Sequence, residues 1–485
     1  MMSNGLITDL YQLTMANALF KTGGHEKKVV FDRFYRKNPF NGGYTVVAGL
    51  AHLQEFIENF RYDEEDISYL ESLHIFYPEF LDYLSKFRFH GDICAIPEGT
   101  IVFPGEPLLR FHGTTAEAML LETGLSMIMN HESLIATKAR RVRTAAPDDA
   151  LMEFGLRRAQ GHDAGLWGAR AAMIGGFNGT SNVEAGRRFG IPVLGTMAHS
   201  WVMSFDNELD AFREYVNRYH DNLILLADTY DVLSMGIPHA IQIFKELKEA
   251  GKLPAKYGIR IDSGDLTYLS QEAARQFKEA GFPEAIISGS NDLDEYTIQS
   301  LKNQGCAVTS WGVGTKVITA DGTSALGGVF KMAAKEEEGE FVPVMKISND
   351  LEKMTNPGIK TVYRFYKKSN GKMITDLICC KDETPADGSE FTLVTETAKW
   401  RRKYLKAGTY TAEELLKPVM IGGERAELPD LKEVIAHANR QIQILWPEYT
   451  RFLHPDRMEI NLSDKLQKLK SDIIAVSYTH LTLPT

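Results

Sequence analysis

Between Leu151 and Gly314, short apolar runs recur at a spacing that leaves room for a helix after nearly every one. They fall at 151–154, 173–177, 192–194, 223–227, 258–261, 285–288 and 307–310. Parallel strands need a crossover of about a dozen residues or more, usually helical, whereas antiparallel neighbours do not. The rhythm therefore predicts parallel strands alternating with helices, wound as an α/β barrel. In such barrels the reactive groups collect where the strands end at their carboxyl termini. Here the runs lead into Arg157, Thr180, Thr196 with His199, Asp228, Asp262, Asn291 and Gly312. So many polar strand ends in one segment are hard to explain by packing, and they point to an enzyme.

The flanks read differently. At 485 residues the chain exceeds what one core usually holds. Residues 1–135 are expected to form an α+β domain. A helix begins near Ile7, capped by Thr8 or Asp9, with Leu10, Leu13, Ala16 and Phe20 on its apolar face and Tyr11 off it. Strands follow at 29–35 and 44–48 around a turn at 39–43, then a helix at 51–59. Further strands of the same sheet are expected at 91–96 and 108–112, and an apolar helix at 117–129 leads into the barrel, 136–335. Beyond it, strands at 341–347, 360–366 and 373–378 form a meander in a region, 336–470, that returns to the first domain. Helices are expected at 428–445 and 462–469. Residues 471–485 form a tail, of which 477–485 continue no pattern and are expected to be foreign to the fold.

A formal charge of −10 argues against nucleic acid as a partner, since such a partner calls for a basic face. Basic residues nevertheless cluster at Lys138, Arg140, Arg141 and Arg143, then Arg157 and Arg158. They suit an anionic small substrate or, for the first four, a solvated helix face. Four cysteines without CxxC spacing, no signal-peptide pattern and no apolar run of about eighteen residues predict a reduced, cytoplasmic chain with no membrane span. Structural zinc is not expected, because no histidines stand beside the cysteines at ligand spacing.

Several strand ends carry specific chemistry. Phe154 with Arg157 and Arg158 offers a ring to stack on a flat ligand and guanidinium groups for a carboxylate or phosphate. The turn 175–182 is glycine-rich and ends in Ser181 and Asn182, either of which could cap the next helix. His199 stands beside hydroxyls just past a strand. Arg260 and Asp262 alternate onto one side of theirs, where a charge needs a partner or a ligand. Asp262 with Asp265 could hold a sugar diol or Mg²⁺. Gly312, Gly314 and Thr315 could present N–H groups and a hydroxyl to a phosphate.

Together the segments TDLYQLTM (8–15), EFGLRRAQG (153–161), GTSN (179–182), GTMAHS (195–200), RIDSGD (260–265) and GVGT (312–315) resemble the nicotinate phosphoribosyltransferase family, in order, from about residue 5 to about 465. The resemblance implies a type II phosphoribosyltransferase fold: an irregular TIM-like α/β barrel with a discontinuous α+β domain, assembled as a homodimer with shared active sites. It implies conversion of nicotinate and 5-phosphoribosyl 1-pyrophosphate to nicotinate mononucleotide and pyrophosphate, coupled to ATP hydrolysis with Mg²⁺, as the first step of NAD salvage from nicotinate. By the same resemblance the pyridine lies between Phe154 and a Tyr11 from the partner. Arg157, Ser181, Thr196 and Arg260 surround it, and Arg260 and Asp262 stand at the reacting centre. Asp262, Ser263, Gly289, Asn291, Gly312, Gly314 and Thr315 hold the phosphoribosyl group, and His199 is phosphorylated by ATP. The nicotinamide-using relative carries Asp where this chain has Ser181, and Asp would repel a carboxylate. Quinolinate, with a second carboxylate, calls for a more cationic pocket. A non-catalytic phosphosugar binder would have no use for His199, Arg260 and Asp262 together.

Overall fold

The computed structural model describes residues 3–219, 221, 223–348, 353–385, 389–395 and 398–479. The chain divides into two compact units, 1–137 with 325–485, and 138–324. The second is thus an insertion in the first, and the boundary falls inside a 31-residue helix, Thr115–Ala145.

The second unit is built on six parallel strands: β1 (Ala150–Glu153), β2 (Gly179–Thr180), β3 (Leu223–Leu226), β4 (Tyr257–Ile261), β5 (Ile286–Ser290) and β6 (Ser310–Val313). Their order is β2-β1-β6-β5-β4-β3. The last paired residues lie opposite one another: Thr180 on Glu153, Glu153 on Val313, Gly312 on Ser290, Gly289 on Ile261 and Arg260 on Leu226. This register brings the carboxyl ends level. A lone parallel bridge from Thr180 to Val193 extends the sheet beyond β2. The connections are helical: α1 (His162–Ile174), α2 (Val183–Phe189), α3 (His199–Met203), α4 (Glu208–Arg218), α5 (Ile237–Glu249), α6 (Leu266–Glu279), α7 (Glu295–Asn303) and α8 (Thr315–Ile318). The fold is an irregular α/β barrel joined to a discontinuous α+β domain.

Three of the seven expected strands differ. Residues 173–177 close α1 and its following turn, not a strand. Residues 192–194 supply only the bridge at Val193. The last strand begins at Ser310, where the expected one ended.

The first unit holds a seven-stranded antiparallel sheet in the order Glu340–Pro343, Gly328–Glu337, Lys28–Tyr35, Leu109–Thr114, Asp92–Ala95, Lys417–Ile421, Glu424–Arg425. Because Gly328–Glu337 pairs with Lys28–Tyr35, this segment belongs to the first unit although the sequence placed the barrel's end at 335. Thr45–Val46 pairs with Ile101–Val102 in a separate ladder rather than joining the main sheet. Lys360–Lys367 and Met373–Cys380 sit at the centre of a second, six-stranded sheet. The final helix runs Asp464–Thr479, so residues 477–479 extend it, and 480–485 lie outside the described residues. No described helix is long and apolar enough to cross a membrane.

The basic cluster serves the barrel wall. Lys138 and Arg141 are buried and ion-paired to buried Glu295 of α7, each at 2.7 Å. Arg140 donates to the Ile174 carbonyl at 3.1 Å, and Arg143 to the carbonyls of Gly176, Ala146 and Asp149. These residues are neither a solvated face nor a ligand cleft.

Candidate functional site

At the end of β1 the chain turns sharply to present Phe154 and Arg157. Gly155 permits the turn: a Cβ there would lie 2.6 Å from Ile318 and 2.7 Å from the Glu153 carboxylate. Arg157 is exposed on the short 3-10 turn Leu156–Arg158. The Phe154 ring rests against Gly312, where a Cβ would come within 2.7 Å of it, and at residue 314 a Cβ would meet the Phe154 carbonyl at 3.0 Å. Both glycines were expected at a phosphate, and the space above Gly312 belongs to the ring.

Beneath this turn Glu153 is fully buried. Its Oε1 accepts from the Gly155 N–H and its Oε2 from the Thr180 hydroxyl, both at 2.5 Å. Burial pushes its carboxyl up, while the Thr180 and Gly155 bonds pull it back. Ser181, half-buried at the end of β2, donates its N–H to the Glu153 carbonyl at 3.0 Å. The helix cap is Asn182, whose side chain accepts from the Ala185 N–H.

Across the sheet, Asp228 joins three elements. Its Oδ1 lies 3.2 Å from His199 Nε2, and its Oδ2 accepts from the Asp262 N–H at 3.0 Å and the Ser263 hydroxyl at 2.6 Å. With Nε2 facing a carboxylate, the network assigns the ring proton there and leaves the Nδ1 lone pair free. The His199 side chain is 40% exposed while that of Asp228 is 1% exposed, so the imidazole is reachable and its partner is not. Asp262 accepts from the Ser290 hydroxyl. Arg260 donates from Nη1 to the Thr196 hydroxyl at 2.6 Å, and its buried Nε has no hydrogen-bond partner among the described residues. Burial draws its pKa down, Asp262 and Asp228 oppose that, and Arg157 adds to it. Two guanidinium groups therefore feel one another at this rim, one with a donor left for an anion.

Asn291 and Asp292 follow β5 in the left-handed region, at φ 99° and 39°. Such backbone is uncommon outside glycine and clusters at ligand sites. Gly289 lies inside β5, paired with Trp311 and Ile261. Thr315 opens the short α8 directly after Gly314. Asp265 caps α6, its Oδ1 accepting from the Tyr268 N–H at 3.0 Å. Tyr11 belongs to the other unit, on the helix Leu10–Phe20, and is 52% exposed. Leu10, expected on that helix's apolar face, is 55% exposed, and the buried residues are Gln12, Leu13, Ala16 and Asn17.

The barrel thus gathers Phe154, Arg157, Ser181, Thr196, His199, Arg260, Asp262, Ser263, Asn291 and Thr315 at or just beyond its carboxyl strand ends. Sequence reasoning gave no role to Glu153 or Ser290, and flagged Asp228 only as a polar strand end. The signal for Glu153 was a carboxylate inside an otherwise apolar run.

Known proteins share this chain's sequence and fold along nearly its whole length. Residues 6–130 match the nicotinate phosphoribosyltransferase N-terminal domain, 150–385 the nicotinate phosphoribosyltransferase family and 359–470 its C-terminal domain. The chain is 41% identical over 463 residues to nicotinate phosphoribosyltransferase of Bacillus subtilis, covering 95% of this chain and 93% of the relative. It is 35% identical over 525 residues to that of Caenorhabditis elegans, covering 95% and 92%. The crystal structure of human nicotinic acid phosphoribosyltransferase superposes with a TM-score of 0.84 at 30% identity, covering 96% of this chain and 100% of that one. With matches along nearly its whole length, the chain belongs to the nicotinate phosphoribosyltransferase family.

Proposed function

We propose that this enzyme transfers the phosphoribosyl group of 5-phosphoribosyl 1-pyrophosphate to nicotinate, and that His199 couples the transfer to ATP hydrolysis. The observation that carries the first part is that Phe154 and Arg157 stand beside Ser181 on the adjoining ends of β1 and β2, with Arg260 on β4 at the same edge of the sheet: a flat ring, cations and a hydroxyl suit an aromatic carboxylate. The pyridine nitrogen attacks C1 of the ribose as the bond from C1 to the diphosphate oxygen breaks, releasing pyrophosphate. That nitrogen already has a lone pair, so no protein base is needed. The work falls to holding the ring in line and to cations that meet the departing charge.

Coupling rests on the imidazole geometry. The His199 side chain is 40% exposed and Asp228 faces its Nε2, which leaves Nδ1 as the nitrogen with a lone pair. Nδ1 can attack the γ-phosphorus of ATP, releasing ADP, and water later returns the phosphoryl group as phosphate. While present, it adds about two negative charges beside Asp228 and the Asp262–Ser263 turn, enough to reorder that turn. Mg²⁺ would supply charge neutralisation at the diphosphate. Asp262 has a carboxylate oxygen beyond the one that accepts from Ser290, and among the described residues no group of three or more His, Cys, Asp and Glu could hold a metal alone. That donor set suits an ion which takes most of its oxygens from phosphates and water.

We also read Tyr11 as the ring that a second copy of the chain supplies to the pyridine. Leu6, Ile7, Leu10 and Met15 around it are exposed, an apolar patch that homodimerisation would cover.

The deciding assay measures pyrophosphate release with nicotinate, nicotinamide or quinolinate, with and without ATP. Nicotinate alone should be used at appreciable rate, faster with ATP; equal use of nicotinamide would overturn the carboxylate assignment. In His199→Ala, ATP should no longer raise the rate and ³²P from γ-labelled ATP should not enter the protein.

A further inference from the structure

We infer that Glu153 is the positioning residue that sets the two halves of the pyridine pocket against each other, an inference that rests on the nicotinate reading above. The halves are the β1 turn bearing Phe154 and Arg157, and the end of β2 bearing Ser181. One fully buried residue bonds to both. Its Oε1 takes the Gly155 N–H at the root of the turn, and its carbonyl takes the Ser181 N–H. Oε2 takes the Thr180 hydroxyl, which in turn accepts from the Asn182 N–H at 3.0 Å. Ser181 is thereby held from both sides. The turn cannot drift away independently, because Phe154 N–H is fixed to the Val313 carbonyl at 2.9 Å and Gly155 has no room to shift toward Ile318.

The chemistry requires a carboxylate. Two donors converge on this side chain, one at each oxygen, and an amide would put an NH₂ donor in place of one of those acceptors. The Gly155 N–H cannot reverse its role, so Gln at 153 must give its oxygen to Gly155 and its NH₂ to Thr180. The Thr180 oxygen already accepts from Asn182, and its own proton then has no acceptor in a buried site. Strand β2 would therefore pull away from β1 at Ser181, and the hydroxyl facing the substrate carboxylate would move with it.

Kinetics of Glu153→Gln, Thr180→Val, their double variant and Thr180→Ser test this. Each of the first two should raise KM for nicotinate about tenfold, some 1.4 kcal/mol, and leave KM for phosphoribosyl pyrophosphate within about twofold. The double variant should be no worse than either single, since both break one bond, and Thr180→Ser should behave as wild type. A parallel rise in both KM values, additive effects, or an unchanged KM for nicotinate with a lowered melting temperature would reduce Glu153 to a structural role. Should Glu153→Gln fail to fold, the contrast of Thr180→Val with Thr180→Ser reads the same bond from its other end. Wild-type activity separates the two levels. No turnover of nicotinate by the parent would end the functional reading and this inference with it, whereas normal parent kinetics with indifferent variants would end this inference alone.

Discussion

Gly312 lacks a side chain because the Phe154 ring occupies that space. Gly312→Ala places a methyl group 2.7 Å from the ring. The ring must swing out, since the alternative is to shift β6 within a paired sheet. Overpacking of this kind costs about 1–3 kcal/mol in well-packed cores. Part of that should appear as a rise in KM for nicotinate of roughly tenfold, with a smaller effect on phosphoribosyl pyrophosphate; titration of the variant with nicotinate would reveal it, and unaltered affinity would remove Phe154 from the pocket. Ser181 makes a charge argument instead. A hydroxyl can donate to a carboxylate, whereas an Asp at 181 would face it with like charge, a juxtaposition worth several kcal/mol. Ser181→Asp should lose nicotinate turnover by about a hundredfold or more on that scale. Wild-type kinetics in that variant would count against the specificity argument.

Strands and their connections decide which residues meet. The ladder rule located β1, β3, β4 and β5 because each is a short apolar run closed by a polar turn, and for these the polar end residues were legible in advance. It failed at 173–177 for a physical reason. Helix α1 is buried continuously from Gly165 to Ile174, and a helix covered on every side loses the amphipathic period that distinguishes it from a buried strand. The two-residue β2 is too short to show any period, so Ser181 was attached to a glycine turn although it stands at a strand end. The bonds among strand ends are long-range and left no trace in local pattern, which is why Asp228 had no assigned task. Its role suggests a test at this scale. In Asp228→Asn the amide oxygen would be drawn to the Asp262 N–H and the Ser263 hydroxyl, turning NH₂ toward His199 Nε2. That favours the tautomer with its proton on Nδ1 and removes the lone pair needed for attack on ATP. ³²P labelling from γ-labelled ATP should fall by about a hundredfold or more, as for other losses of a base's correct tautomer; undiminished labelling would mean that Asp228 does not set the tautomer.

For the whole molecule, the discontinuous first unit should govern sensitivity to acid. It holds several partly buried titratable groups away from the barrel chemistry, among them three histidines whose pKa values are all drawn down. Burial lowers His131 from 6.5 to about 4, with the nearby charge of His52 adding to the effect. Burial also lowers His112, with Lys28, Lys381 and Arg110 adding and Asp92 opposing. It lowers His437 too, with Arg440 and Arg364 adding and Glu413 opposing. In each case folding favours the neutral ring, so the unfolded chain binds protons first as pH falls. Stability from these rings is complete above the ordinary value of 6.5 and is lost as the pH falls below it; for His131 the loss runs on toward pH 4 and amounts to about 3 kcal/mol. Glu106, buried and pushed well up by burial and by Asp376, works the other way: its contribution to stability is lost as pH rises and restored as pH falls. Thermal melts at pH 7, 5.5 and 4.5 should therefore show a steep loss for the wild type. His131→Gln, which cannot titrate, should lose less over the same interval even if it starts lower. Parallel slopes for the two proteins would show that His131 takes up its proton in the folded state without penalty.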